Sequence, residues 1–488
     1  MLNSKVTAPH QPEDQLGGSG GGIQERFIRP EVPSPFRRPS PSPTRRDLDD
    51  ARPLSLALIP SSAEAVALVD DVMQRVADAM SDGRVNQRGP SGQAKARGAI
   101  GAIVGGLLYR WADEHPTITF RSLDSNTFTG AAVGARQFRA AMAALIAEGL
   151  VGRRLGISYL RPGFDPGQTL TARRAGRYWP TDALLTLAEA HGLTPSTARA
   201  AFHSVPPTKA PVVKRPLALF ELLPKRAERG ARVPLRIAPD DDTARALAAD
   251  VMQHNAFAAL HDVSGCAPPR WCRQFYGDWT LHGRWYCVGA DALYQGMPKA
   301  ARLGQLRVNG EPVAEVDVRA SHLSILSALA GEPLDPERDP YDVPGVPREV
   351  AKQWVVATLG KGSAVRKVPA GQAAAFVGQD MEALARAMKA RHPMLGDPAG
   401  VVPRELAERF GDARRVLPHY LMGVEAVAMT DAMRVLREGS GVLALPVHDS
   451  LVVPAGAVQA ARDALRGAFE RAAGFSPMLV TTAPSVAA

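Results

Sequence analysis

The chain has 488 residues, 45% of them hydrophobic, which allows about two to four domains with buried cores. It carries 58 Lys and Arg against 49 Asp and Glu, a net charge of +9 that favours a polyanionic partner, nucleic acid before membrane. No apolar run reaches the roughly 18 residues of a spanning helix, no apolar signal core opens the chain, and its three cysteines, Cys266, Cys272 and Cys287, form no CxxC pair, so a reducing cytoplasm fits better than a disulfide framework.

Residues 1 to about 54 are rich in Gly, Pro, Ser and Arg, as in GGSGGG and PSPFRRPSPSPTRR. Such a segment buries too little apolar surface to offset its chain entropy and is expected to be a disordered basic arm. From 55 to 205 the spacing of apolar residues predicts helices over Ala63–Met80 and Ala96–Trp111, a short strand at Thr117–Phe120, a helix and turn over Gly134–Gly156, and a strand in ISYLRPG. Helix, helix and basic hairpin is the order of a winged-helix module, in which one helix enters the major groove and the wing touches the backbone. Arg136, Arg139, Arg153 and Arg154 would then meet phosphates. The same order also serves protein docking, and the plainer reading is a small helical domain with a solvated basic face.

Residues 206–216, PPTKAPVVKRP, read as a basic, Pro-rich linker, and Thr243–Leu260 as an amphipathic helix. Arg270–Tyr286 interleaves Trp271, Phe275, Tyr276, Trp279, Trp285 and Tyr286 with Arg270, Arg273 and Arg284. Aromatic faces stack bases and guanidinium groups take phosphates, so this density is read as a nucleic-acid contact rather than a core edge. A zinc site made from the cysteines with His282 has poor spacing and is set aside.

Further on, AEVDV reads as a strand that delivers Asp317 at its end, beside a helix beginning at Ser321. Glu315 shares the strand face of Asp317 by the period of two and is read as a solvated strand residue. In the helix predicted after Pro347, Arg348 and Lys352 stand at i and i+4, with Val356 a further turn along, so two cations and an apolar patch share one face. Another long helical stretch, Arg415–Leu436, carries Glu425 in its middle. It leads into LALPVHDSLVVP, where two short β-prone runs flank His448 and Asp449, the pattern of a tight hairpin with an acid at its tip. Stiff flanking backbone would hold that carboxylate still and reachable, as metal-assisted chemistry requires, although Asp is also an ordinary turn residue.

Together these pieces resemble the palm and fingers of family A DNA polymerases and of the phage-type single-subunit RNA polymerases, over about residues 270–460. The stretch HGRWYCVGADALYQGMP resembles the family's first motif through Gly283, Arg284, Gln295 and Pro298; EVDVRASHL resembles the first catalytic motif through Asp317; Arg348 and Lys352 resemble the fingers RxxxK; and Val447, His448 and Asp449 resemble the last motif. The resemblance implies an α+β right-hand polymerase, with an antiparallel palm sheet and helical fingers, in residues 217–480 before a tail at 481–488. It implies two Mg²⁺ ions, with Mn²⁺ as a substitute, held by Asp317 and Asp449, which without metal would repel each other enough for one to keep a proton. It implies that Arg348 and Lys352 bind the incoming triphosphate, Lys352 also serving as proton donor, that Val356 and His322 line the nucleotide, and that Arg284, Gln295 and His448 touch primer or template. The partners implied are a DNA template and primer and dNTPs, with rNTPs as further candidates, and no membrane.

The chain also departs from that pattern. His322 stands where family A DNA polymerases carry Glu, Gly360 where they carry Tyr, Val356 where they carry Phe, and Ser450 follows Asp449 as in the RNA polymerases. Exclusion of ribose is therefore expected to be weak, unless Trp354 or Lys361 supplies the gate from a shifted register. No 3′-5′ exonuclease motif set is seen. The alternatives are a single-subunit RNA polymerase or primase, and a non-catalytic replication initiator that binds DNA and keeps a polymerase-like shell.

Overall fold

The computed structural model describes residues 43–483 apart from 45–46, 49, 82–88, 112–117, 124, 129–130, 163–168, 223–231, 290, 336 and 369–372. Most of the expected basic arm, and the end of the tail at 484–488, lie outside the described residues. From Leu48 the chain is already packed: Leu48 and Leu54 are buried, and β1 (Arg52–Pro53) pairs in parallel with β3 (Thr119–Arg121). Leu48 and Leu54, within the stretch read as an arm, are buried, because single leucines supply apolar surface that composition averages away.

The N-terminal unit closes around three helices, α1 (Ala63–Ser81), α2 (Pro90–Leu108) and α3 (Ala135–Ala147). Their apolar faces meet at Leu68, Val72, Ile100, Ile103, Leu107, Phe138 and Leu145, all without solvent exposure. The chain then forms β4 (Val151–Arg154) where a turn was expected, after Gly149 ends the helix at φ 68°. β4 joins β7 (Gly176–Pro180) in a sheet of order β1-β3-β7-β4, and β5 (Ile157–Pro162) with β6 (Thr169–Arg174) makes a separate hairpin. Two short helices, α4 (Asp182–Ala190) and α5 (Pro195–Ala201), lead to β8 (Phe202–Ser204), which pairs with β2 (Leu58–Pro60). Arg136, Arg139, Arg153 and Arg154 are all exposed.

Residues 205–216 carry no helix or strand. Beyond them a second hydrophobic core runs from Leu217 to Phe475. Its first sheet has the order β12-β11-β9, from β9 (Leu217–Phe220), β11 (Trp271–Tyr276) and β12 (His282–Cys287), with α6 (Asp242–Ala258) packed beside it. The second sheet is antiparallel and centres on β14 (Glu311–Val318). One edge of β14 pairs with β16 (Ser450–Pro454), which continues to β15 (Leu445–Val447). The other edge is shared by β13 (Arg307–Val308) and β17 (Leu479–Thr482), and β10 (Val263–Ser264) lies beyond β13. The helices of this unit are α7 (Lys299–Gln305), α8 (Ser321–Leu329), α9 (Arg348–Lys361), α10 (Met381–Arg391), α11 (Arg404–Phe410), α12 (Ala413–Ser440) and α13 (Val458–Ala473). The architecture is mixed helix and sheet, with the long α12 pressed against β12, α8 and α13.

That packing is tightest at Gly423 of α12, where an added Cβ would lie 1.8 Å from the Thr280 carbonyl oxygen. Backbone on backbone cannot yield by a rotamer change. We expect Gly423→Ala to cost about 2–3 kcal/mol, the upper range for overpacking, as measured by urea denaturation.

Candidate active site

The register of β14 against β16 sets Asp317 opposite Ser450, and Val318 N–H donates to the Asp449 carbonyl at 3.1 Å. Two acids 132 positions apart by number (449 − 317) are thus neighbours across one strand pair. Val447 and Ser450 close the hairpin as a pair, and the Ser450 hydroxyl donates to the Val447 carbonyl at 2.9 Å. His448 and Asp449 form its tip, with His448 in the left-handed region at φ 54°.

The tip is an acid-rich environment. Burial, and then the charges of Glu425 and Asp317, push the Asp449 carboxyl up to about 7. Burial also raises Asp317; Glu315 adds to the rise, while Lys299, Lys352 and Arg319 oppose it. Asp449 is therefore the member of the pair that keeps a proton near neutrality when no cation is present.

Two further carboxylates lie beneath the pair. Glu315, expected in solvent, is 3% exposed, because β14 is a central strand and α7 covers its face. Arg302 donates to Glu315 Oε2 from Nε and Nη2 at 3.0 and 2.7 Å, Lys299 Nζ stands 3.3 Å from Oε1, and Ser450 Oγ lies 3.2 Å from the same oxygen, an alternative acceptor for its proton. Glu425, at the centre of α12, has no solvent exposure. It accepts from Arg284 Nε at 2.8 Å and from the Ser321 hydroxyl at 2.9 Å, and His322 Nε2 lies 3.1 Å from its Oε2. Burial alone would raise this carboxyl; His322, Arg284 and Ser321 outweigh it and hold Glu425 down at about 2. Glu425 had a signal in the sequence: it takes a place on the buried stripe Leu421, Glu425, Met429, Met433, a lone charge at helical spacing among apolar residues. Nothing in the sequence marked Lys299 or Arg302.

The expected cationic face is present on α9. Arg348, Lys352, Val356 and Gly360 form its exposed stripe, whereas Ala351, Trp354, Val355, Thr358 and Leu359 are buried. Lys352 is close enough to lower Asp317 by its charge. Arg348 lies over the Tyr341 ring at 5.5 Å, its Nε 2.7 Å from Asp339 and its Nη1 3.0 Å from Glu349. Trp354 is fully enclosed and donates from Nε1 to the Val365 carbonyl, so it cannot serve as a sugar gate. At the C-terminal end of α9, Lys361, Arg366, Lys367 and Arg414 line a groove of 650 Å³ together with Ala357, Ala364 and Val365.

Arg284 and His322 are joined at the centre by Glu425. Gln295 is turned to the main chain: its Oε1 accepts from Cys287 N–H at 2.7 Å, and its Nε2 donates to the carbonyls of Trp285 and Pro446 at 3.0 and 2.8 Å. The aromatic and arginine stretch read as a stacking platform is largely core. Trp271, Phe275 and Trp285 are at most 5% exposed, and Arg273 lies between the Phe275 and Trp285 rings while donating to the Gly283 carbonyl. Strand alternation turns these residues inward, a distinction that composition cannot make. His282 faces Tyr286, with Nε2 2.7 Å from its hydroxyl, and takes no part in a cysteine cluster.

No known protein family matches the chain, and no curated protein matches it. Among solved structures, the chain is similar to the POL domain of Pol1 from M. smegmatis, solved in complex with DNA primer-template and dNTP. The TM-score is 0.32 at 13% identity, over 90% of this chain and 68% of that one.

Among the described residues no three His, Cys, Asp or Glu side chains gather as a self-sufficient metal cluster. Two adjacent, incompletely neutralised carboxylates nevertheless suit a hard cation that takes its remaining ligands from water and phosphate oxygens, the habit of Mg²⁺. The raised Asp449 gives a test free of any assay. Its proton is bound more tightly in the folded than in the unfolded chain, so the stability this confers is complete below about pH 4 and is lost as pH rises through about 7. We expect metal-free protein to lose about 1–3 kcal/mol between pH 5 and pH 8, and Asp449→Asn to remove that loss, by urea denaturation at both pH values.

Proposed function

We propose that the chain is a template-directed nucleotidyltransferase, and specifically a DNA-directed DNA polymerase of the family A type without proofreading. The observation that carries this reading is the convergence of Asp317 and Asp449 on one strand pair, with Lys352 within electrostatic reach. A divalent ion held by the two acids would supply charge to the attacking 3′-oxygen and to the pyrophosphate leaving group. The residues around it have separate tasks. Lys352 and Arg348 bind the triphosphate, Arg348 exchanging Asp339 for phosphate, and Lys352 gives its proton to the departing pyrophosphate. Val356 offers the base an apolar surface. His448 braces the primer end. Arg284, fixed by Glu425, reaches the primer side, and Gln295 holds the strand that leads to the tip. The exposed arginines of α3 and β4, with the groove beyond α9, provide sequence-independent grip on the DNA backbone.

A second reading within the enzyme class is a polymerase or primase that also accepts ribonucleotides. Gly360, on the same exposed stripe as Lys352, would have nothing within 4 Å of an added Cβ, so no wall stands at that point. His322 is held by Glu425 through Nε2 and stays partly exposed. A site without a built-in clash discriminates less.

Extension of a primed template by the purified protein with Mg²⁺ or Mn²⁺ tests the proposal. Asp317→Ala and Asp449→Ala should each abolish extension and change primer-template affinity by no more than about threefold, below 1 kcal/mol; near-normal synthesis by either would end the assignment. Lys352→Ala should raise the nucleotide KM and also slow the single-turnover rate, whereas Arg348→Ala should act mainly on KM.

The sugar is tested by competition between dNTP and rNTP. We expect the wild type to discriminate by well under about a thousandfold, which is roughly 4 kcal/mol, and Gly360→Tyr to increase that ratio. Wild-type discrimination above that level would mean that another side chain supplies the gate.

A further inference from the structure

Among the described residues the two hydrophobic cores form separate clusters, and no sheet passes from one unit to the other. Three hydrogen bonds that cross between the units end on one carboxylate, that of Asp291. Arg121 of β3 donates to its two oxygens from Nη1 and Nη2 at 2.9 and 3.0 Å, and Leu56 N–H donates at 2.7 Å. Both side chains are buried, at 3% and 2% exposure. The Arg121 guanidinium also donates to the carbonyls of Leu54 and Thr127 at 2.8 Å each and lies over the Phe128 ring, so it is rigidly seated in its own unit.

Asp291 lies in the connection between β12 and α7, whose later residues bond to the strand that leads to the candidate active site. Ala292 is in the left-handed region at φ 51°, which an alanine adopts only under constraint. Tyr294 and Gln295 follow, and the Tyr294 hydroxyl and Gln295 Nε2 both donate to the Pro446 carbonyl at 2.8 Å. Pro446 stands two residues before His448 and three before Asp449. A bidentate, buried Arg–carboxylate pair fixes position and orientation at once. The strained loop transmits that placement to the strand carrying the tip.

We infer that Arg121 is a positioning residue for the His448–Asp449 tip: the N-terminal unit, through the Asp291 carboxylate and the Tyr294 and Gln295 bonds to Pro446, sets the geometry of the acid pair. Removing the guanidinium leaves Asp291 on the single Leu56 N–H bond, lets the carboxylate turn and Ala292 relax, and loosens the two bonds on Pro446. The tip then samples other positions while β11, β12 and α13 keep their packing.

The test is amide hydrogen exchange on the full chain without metal or substrate. Arg121→Ala should raise exchange about tenfold at 294–297 and at 447–451, leaving β11, β12 and α13 unchanged, since local opening reports local restraint. Arg121→Lys, which keeps the charge but not the fork, should restore part of the protection. Tyr294→Phe, which deletes one hydroxyl, should release 447–451 with the N-terminal unit unaffected, and it covers the case in which the alanine variant fails to fold. Faster exchange confined to the N-terminal unit, or a tip unmoved by Tyr294→Phe, would overturn the inference. In extension assays Arg121→Ala should lower kcat about tenfold, or roughly 1.4 kcal/mol, and leave nucleotide KM within about twofold. Only that second readout rests on the polymerase reading. A wild type inactive in extension would overturn that reading, and the exchange data would still decide this one.

Discussion

The site depends on one register. β14 and β16 could pair in other alignments, but a shift of one residue would turn Asp317 into the core and bring Val316 or Val318 to the tip. What fixes the alignment is apolar: Val313, Val316 and Val318 on one strand and Leu451, Val452 and Val453 on the other are without solvent exposure. The acids are carried to their place by valines and leucines that have no part in the chemistry.

Around that strand pair the molecule concentrates charge it could have left in solvent. Glu315 and Glu425 are neutralised by Arg302, Lys299, Arg284 and His322, and each keeps its partners by direct hydrogen bonds or ion pairs. Asp317 and Asp449 are not neutralised in this way, and the difference shows in opposite shifts: Glu425 is held at about 2, Asp449 at about 7. Two environments thus divide four carboxylates into two held in ion pairs and two whose burial raises them.

Much of this was legible in the sequence because the relevant signals are local. A strand ending in Asp317, a hairpin with His448 and Asp449 at its tip, and cations four apart on a helix are patterns within about ten residues, and the structure has each of them. Glu315 was misread because alternation gives the face of a strand but not whether a neighbour covers it; α7 does. The aromatic run of β11 and β12 was misread for the same reason, since interleaved Trp and Arg describe a platform and a core edge equally well. The network on Glu425 joins residues from β12, α8 and α12, and the tie on Asp291 spans 170 positions. No pattern short of the fold assembles them.

His448 has a consequence of its own. Its φ of 54° belongs to a region where glycine rests freely and most side chains do not. A glycine there would relax the hairpin, by up to about 1 kcal/mol on the usual scale for such positions. The hairpin instead keeps an imidazole in a conformation that does not favour it, next to the acid with the most displaced carboxyl of the candidate pair. Stability alone would therefore favour His448→Gly, and a search for stabilising substitutions at this tip would remove the imidazole beside Asp449.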